Sequence, residues 1–95
     1  MTVEFDPARL RCRDVELLAR PGPDGAMRSV RLRRDMRTGD HLIVEVAGAP
    51  PPEDRCLPPE ARGDVTMVLF RDHDLDAAVR WAQDRLGVEL VALGR

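Results

Sequence analysis

Lysine, asparagine and tyrosine are absent from these 95 residues, and isoleucine occurs once, at Ile43. All four have A/T-rich codons, so their joint scarcity reads as the mark of a GC-rich gene, that of a high-GC bacterium or its phage. Every basic position is then arginine by default, and arginine content alone says little about phosphate binding. The same absences strip out catalytic equipment. There is no lysine for a Schiff base and no tyrosine acid, and only one serine (Ser29), two histidines (His41, His73) and two cysteines (Cys12, Cys56) remain. The sequence points away from an enzyme, with no catalytic residue and no cofactor expected.

Long apolar runs are missing too. The N-terminal MTVEFDPARLRCRD has no apolar signal core, and no stretch approaches the roughly 18 apolar residues that span a bilayer. We therefore expect a cytoplasmic chain that does not engage membranes. Two cysteines 44 positions apart fit no zinc-ligand spacing. A Cys12 to Cys56 disulfide is chemically feasible, but in a reducing compartment buried free thiols are the expectation.

What is present is a well-patterned chain of ordinary apolar content, 43% hydrophobic and 34% charged, with a net charge of −2. Its length suits one domain, 1–95, with a modest core. Residues 1–40 carry nine arginines against seven acids and residues 41–95 six against ten, so the halves have opposite charge.

Asp6-Pro7 opens a turn or two of helix. VELLAR at 15–20 reads as a strand closed by the Pro21-Gly22-Pro23-Asp24-Gly25 turn. Residues 29–34 alternate, with Val30 and Leu32 on one face and Ser29, Arg31 and Arg33 on the other, predicting a half-buried strand with an arginine-lined outer face. HLIVEVA at 41–47 completes a three-strand meander. Residues 48–63 hold five of the eight prolines and form a loop. VTMVLF within 64–71 suits a central strand covered on both faces. A helix over 75–86 follows, with Leu75, Ala78, Val79, Ala82 and Leu86 on one stripe and Gly87 as its C-cap, and residues 88–93 form a last strand. The predicted architecture is α+β: an antiparallel meander, then a strand-helix-strand unit with parallel strands, about five strands in all and one main helix on one face.

Three surfaces compete for a functional role. Trp81 falls about 100° from the helix stripe. With Arg85 and the apolar last strand (Leu90, Leu93), it makes an anchor for another protein or a second copy of the chain. Arg31, Arg33, Arg34 and Arg37 form the nucleic-acid alternative, contacting successive phosphates from an exposed strand. Asp72, His73 and Asp74 concentrate carboxylates and an imidazole at a helix start, a third reading as a metal-dependent site; capping of the helix explains the same aspartates without a ligand. The thin catalytic inventory favours the first: a small non-enzymatic interaction module, an adaptor, accessory subunit or inhibitor.

Overall fold

Strand β3 (Met27–Arg34) is buried along five consecutive residues, Ser29 to Arg33, and the rest of the molecule is arranged around it. In the computed structural model, which describes residues 2–48, 56–58 and 61–94, β3 lies between β2 (Val15–Pro21) and β4 (His41–Ala47). A fourth strand, β5 (Asp64–Asp72), pairs with β4 to complete an antiparallel sheet of order β2-β3-β4-β5. The meander is thus the one the alternation predicts.

Register follows from side-chain periodicity. Leu32 stands opposite Val15 and Ile43, and Val30 opposite Leu18, so these residues share one face. That face is closed by helix α1 (Leu75–Leu86), whose Ala78 and Ala82 join Leu10, Leu17, Val30, Leu32, Ile43, Val88 and Leu90 in the core. Each large aliphatic side chain so buried contributes about 1.5–3 kcal/mol. The small residues at 78 and 82 let the helix backbone come close to the sheet. Asp74 caps α1 by accepting the Asp76 N–H at 3.0 Å, and Gly87 ends it at φ +67, a left-handed conformation that costs glycine nothing.

Three features depart from the sequence reading. First, Thr2–Phe5 is a strand, β1, preceding a 3-10 turn at Pro7–Arg11 that Asp6 caps. Second, the last strand, β6 (Glu89–Ala92), pairs in parallel with β1 and not with β5, giving six strands in two sheets among the described residues. The α+β architecture stands, but the expected crossover does not return to the strand that precedes the helix. Third, β5 is not a central strand. It forms an edge of the larger sheet, and its apolar residues 65, 67 and 68 are exposed.

Candidate functional site

The second face of the sheet is where the sequence places an exposed arginine row. Arg31 and Arg33 do point there, beside Ser29, but they are 1% and 8% exposed. Their common partner is Asp14, which precedes β2. Arg33 grips its carboxylate bidentately, Nε donating to Oδ1 at 2.9 Å and Nη2 to Oδ2 at 2.7 Å. Arg31 Nη1 lies 3.6 Å from Oδ2, and Arg62 Nη1 lies 3.5 Å from Oδ1. Three guanidiniums therefore converge on one buried carboxylate. Planar forks suit this arrangement, since each can donate in two directions at once.

The outer donors of the cluster are spent on backbone. Arg31 Nη1 donates to Arg62 O at 2.6 Å, Arg62 Nε to Leu57 O at 2.7 Å, and Arg62 Nη2 to Arg11 O at 3.2 Å. Ser29, the sole serine, accepts from Arg31 Nε at 2.9 Å and donates to Glu16 Oε1 at 3.1 Å. The arginine face is therefore a buried polar layer that ties Arg62, and through it Leu57, to β3. Of the four arginines proposed to contact phosphates, only Arg34 and Arg37 are exposed.

Cys12 and Cys56 form a disulfide, which overturns the expectation of free thiols. Spacing gave no hint of it, because the approach of the two residues depends on Arg62 reaching Arg11 O and on the Leu57 N–H reaching Cys12 O at 3.1 Å. The segment returns to β5 through Gly63, at φ +99, where a side chain would collide with Val46 Cγ1 at 2.7 Å. Much of the proline-rich 48–63 loop, including Arg55, lies outside the described residues.

The proposed anchor separates into unlike parts. Trp81 is half-buried and stacks on Phe70 of β5, with ring centroids 5.5 Å apart and planes 26° apart. It packs against the core as a flank of it. Leu90 is buried in that core at 6% exposure, so it is no contact surface. Arg85 and Leu93 are exposed.

Asp72, His73 and Asp74 do not converge on a point. Asp72 accepts the Asp74 N–H at 2.8 Å and Asp74 accepts the Asp76 N–H, so both are occupied with starting the helix. Among the described residues no group of three or more His, Cys, Asp or Glu side chains is placed to hold a metal. His73 lies beside Asp40 (Nδ1 to Oδ1, 3.4 Å), and its carbonyl is 3.0 Å from His41 Nδ1. Arg71 Nε donates to Asp40 Oδ2 at 2.7 Å and, as the leading cause, holds that carboxyl below its ordinary range. Asp35 is lowered chiefly by the Arg37 backbone N–H. This set pins the β3–β4 turn to the end of β5.

The surface that sequence reasoning missed is the β5 edge. Two extra residues, Thr66 and Leu69, are bulged out of its pairing with β4: Val46 faces Val65, Glu45 faces Met67, Val44 faces Val68, and Ile43 faces Phe70. The first bulge puts Val65 and Val68 on one face although they are three residues apart. Both are exposed, at 42% and 53%, with Met67 at 52% on the helix side. Bulges leave no trace in an apolar run, which explains why this strand reads as covered.

Comparison with protein-family models, with curated proteins and with solved structures finds no match to this chain. Among the described residues no helix is long and apolar enough to cross a membrane.

Proposed function

We propose that this chain is a protein-interaction module, an adaptor, accessory subunit or inhibitor, and that it docks its partner on the β5 edge. The observation that carries the reading is the exposure of Val65, Met67 and Val68 together on one nine-residue edge strand. Edge strands present unpaired backbone donors and acceptors, and apolar side chains there are normally replaced by charge. The two bulges interrupt that backbone edge, so recognition rests on the side chains as much as on strand addition. Trp81 supports the surface from beneath through Phe70, as a positioning residue and not as the anchor itself. The partner is a second copy or an extended segment of another protein. We keep the cytoplasmic placement as part of this reading, in which case the disulfide is a reversible one.

Two measurements test it. One is light scattering across a concentration series; the other is selection of a displayed peptide library against the folded chain. Each is run beside Val68→Arg. Dimerisation or peptide capture that the substitution abolishes, with thermal stability retained, supports the reading. If neither self-association nor peptide capture depends on Val68, the β5 edge is not the docking surface. The nucleic-acid alternative is not advanced, since Arg31 and Arg33 are occupied in the interior.

A further inference from the structure

Both edges of the larger sheet carry the same irregularity. On β5, Val65, Val68 and Arg71 face the arginine side at three-residue intervals, because Thr66 and Leu69 drop out of the pairing with β4. On β2, Glu16 and Ala19 face that side and are also three residues apart, because Leu17 drops out of the pairing with β3. All five of these side chains belong to exposed residues. A regular strand changes face at every residue, so β4 meets the β5 spacing only by leaving two residues unmatched. The β2 edge has that spacing itself. The four described strands of the sheet are antiparallel, so β2 and β5 run in opposite directions. A second copy in the same orientation therefore offers its β2 antiparallel to β5, with the arginine side and the helix side each continuous across the joint.

We propose that the occupant of the β5 edge is the β2 edge of a second copy, so that copies add head to tail and extend one sheet. This rests on the reading of β5 as the docking edge and names what fills it. Faces and charge fix the register: Val68 stands opposite Ala19 of the next copy, and Arg71 opposite its Glu16. Residues 67–72 then each meet a same-side residue among 15–20, with Leu69 and Phe70 against Leu18 and Leu17 on the helix side. The charges are complementary and have capacity to spare. Arg71 commits Nε and Nη2 to Asp40, Asp35 and Thr38, and its Nη1 makes no hydrogen bond among the described residues. Glu16 accepts from Ser29 through Oε1 and keeps Oε2 for the joint. Pairing β5 with β5 of a second copy is poorer. Centred on Val68 it sets Asp64 against Asp72 twice, and centred between Thr66 and Met67 it forms no charged pair. Because the two joined surfaces differ, every assembly keeps a free β5 at one end and a free β2 at the other, and it grows unless it closes into a ring.

Two blocking variants test the joint: Val68→Arg spoils the β5 edge and Ala19→Arg the β2 edge, both at exposed positions. Light scattering over a concentration series at low salt is read for the parent, for each variant and for their equimolar mixture. The parent should grow past the dimer as concentration rises. Each variant alone should stay monomeric, and the mixture should give a heterodimer and nothing larger, since it holds one intact β5 edge and one intact β2 edge. That heterodimer also shows that both variants are folded. Glu16→Gln should weaken association of the parent about two- to fivefold, the share of an exposed ion pair; unchanged strength would overturn the register. If Ala19→Arg alone still dimerises and Val68→Arg does not, the head-to-tail joint is overturned while β5 stands as the docking edge. A parent that is monomeric throughout, or a mixture that stays monomeric, also overturns the joint, and peptide capture then decides the β5 edge by itself. Association that survives Val68→Arg ends both readings.

Discussion

Asp14 and Arg33 form a two-pronged ion pair inside the protein, 2.9 and 2.7 Å long, with the carboxylate side chain 2% exposed. Removing the carboxylate leaves at least two buried guanidiniums without their counter-charge. Breaking a buried pair from one side typically costs about 3–5 kcal/mol. Asp14→Ala should therefore lower the urea midpoint by a shift of that size, and Asp14→Asn should recover little of it. A loss under about 1 kcal/mol would mean that water reaches the cluster and compensates.

Arg31→Glu and Arg33→Glu bring a second negative charge against Asp14 and should unfold the chain. Arg34→Glu and Arg37→Glu, on exposed positions, should stay within about 0.5 kcal/mol of the parent. Thermal melts of the four variants separate the two classes. Comparable melts across all four would contradict the burial of β3.

Trp81 contributes to stability through Phe70. Because it is half-buried, Trp81→Ala should cost about 2 kcal/mol, below the roughly 3–5 of a fully buried aromatic. Trp81→Phe, which preserves a ring over Phe70, should recover much of the loss. Equal losses from the two variants would remove the stack from the account. Denaturant unfolding followed by circular dichroism reads both.

Asp74→Ala removes the helix cap and should cost about 0.5–2 kcal/mol, with Asp74→Ser largely restoring it, because a serine hydroxyl also accepts from the first-turn amides. Denaturant titration measures the difference. Rescue by Glu in place of Ser would point to charge, not capping geometry, as the active property.

Asp24, Asp35 and Asp40 all titrate below the 3.8 of a free aspartate. The folded state therefore holds their protons less readily than the unfolded state does. The stability they contribute is present above that value and is lost as pH falls through their folded values. Arg71 is the leading cause for Asp40, so Arg71→Leu should be weaker than the parent near neutrality, and the two should converge in acid. Urea midpoints from about pH 6 down to about pH 2 show whether the gap closes; a constant gap would mean that Arg71 acts through packing alone.

Local patterns were readable and distant pairings were not. The limits of α1, its aspartate start and its Gly87 end are all set within a few residues, and so is the β3 alternation of Val30 and Leu32 against Ser29, Arg31 and Arg33. What covers the arginine side is set elsewhere, by Asp14, Arg62 and the Cys12–Cys56 link. An arginine facing solvent and an arginine facing a buried aspartate look alike in one dimension. The same holds for VTMVLF, since an apolar run cannot reveal whether a neighbour strand exists on its far side. Ser29 carried the one usable hint: the sole serine sits in the arginine row, where a hydroxyl can relay between a guanidinium and Glu16.

The pairing of β1 with β6 governs when this fold can finish forming. Thr2 meets Glu89, and the Leu93 N–H reaches Phe5 O at 2.8 Å. During synthesis β1 emerges well before β6 and cannot form this pairing until residues 89–92 leave the ribosome. The meander can assemble early from hairpins, whereas the Phe5 and Leu90 side of the interior must wait. A nascent chain stalled after α1 would therefore expose Phe5 and Val3, and a chaperone that holds exposed apolar segments would act in that interval.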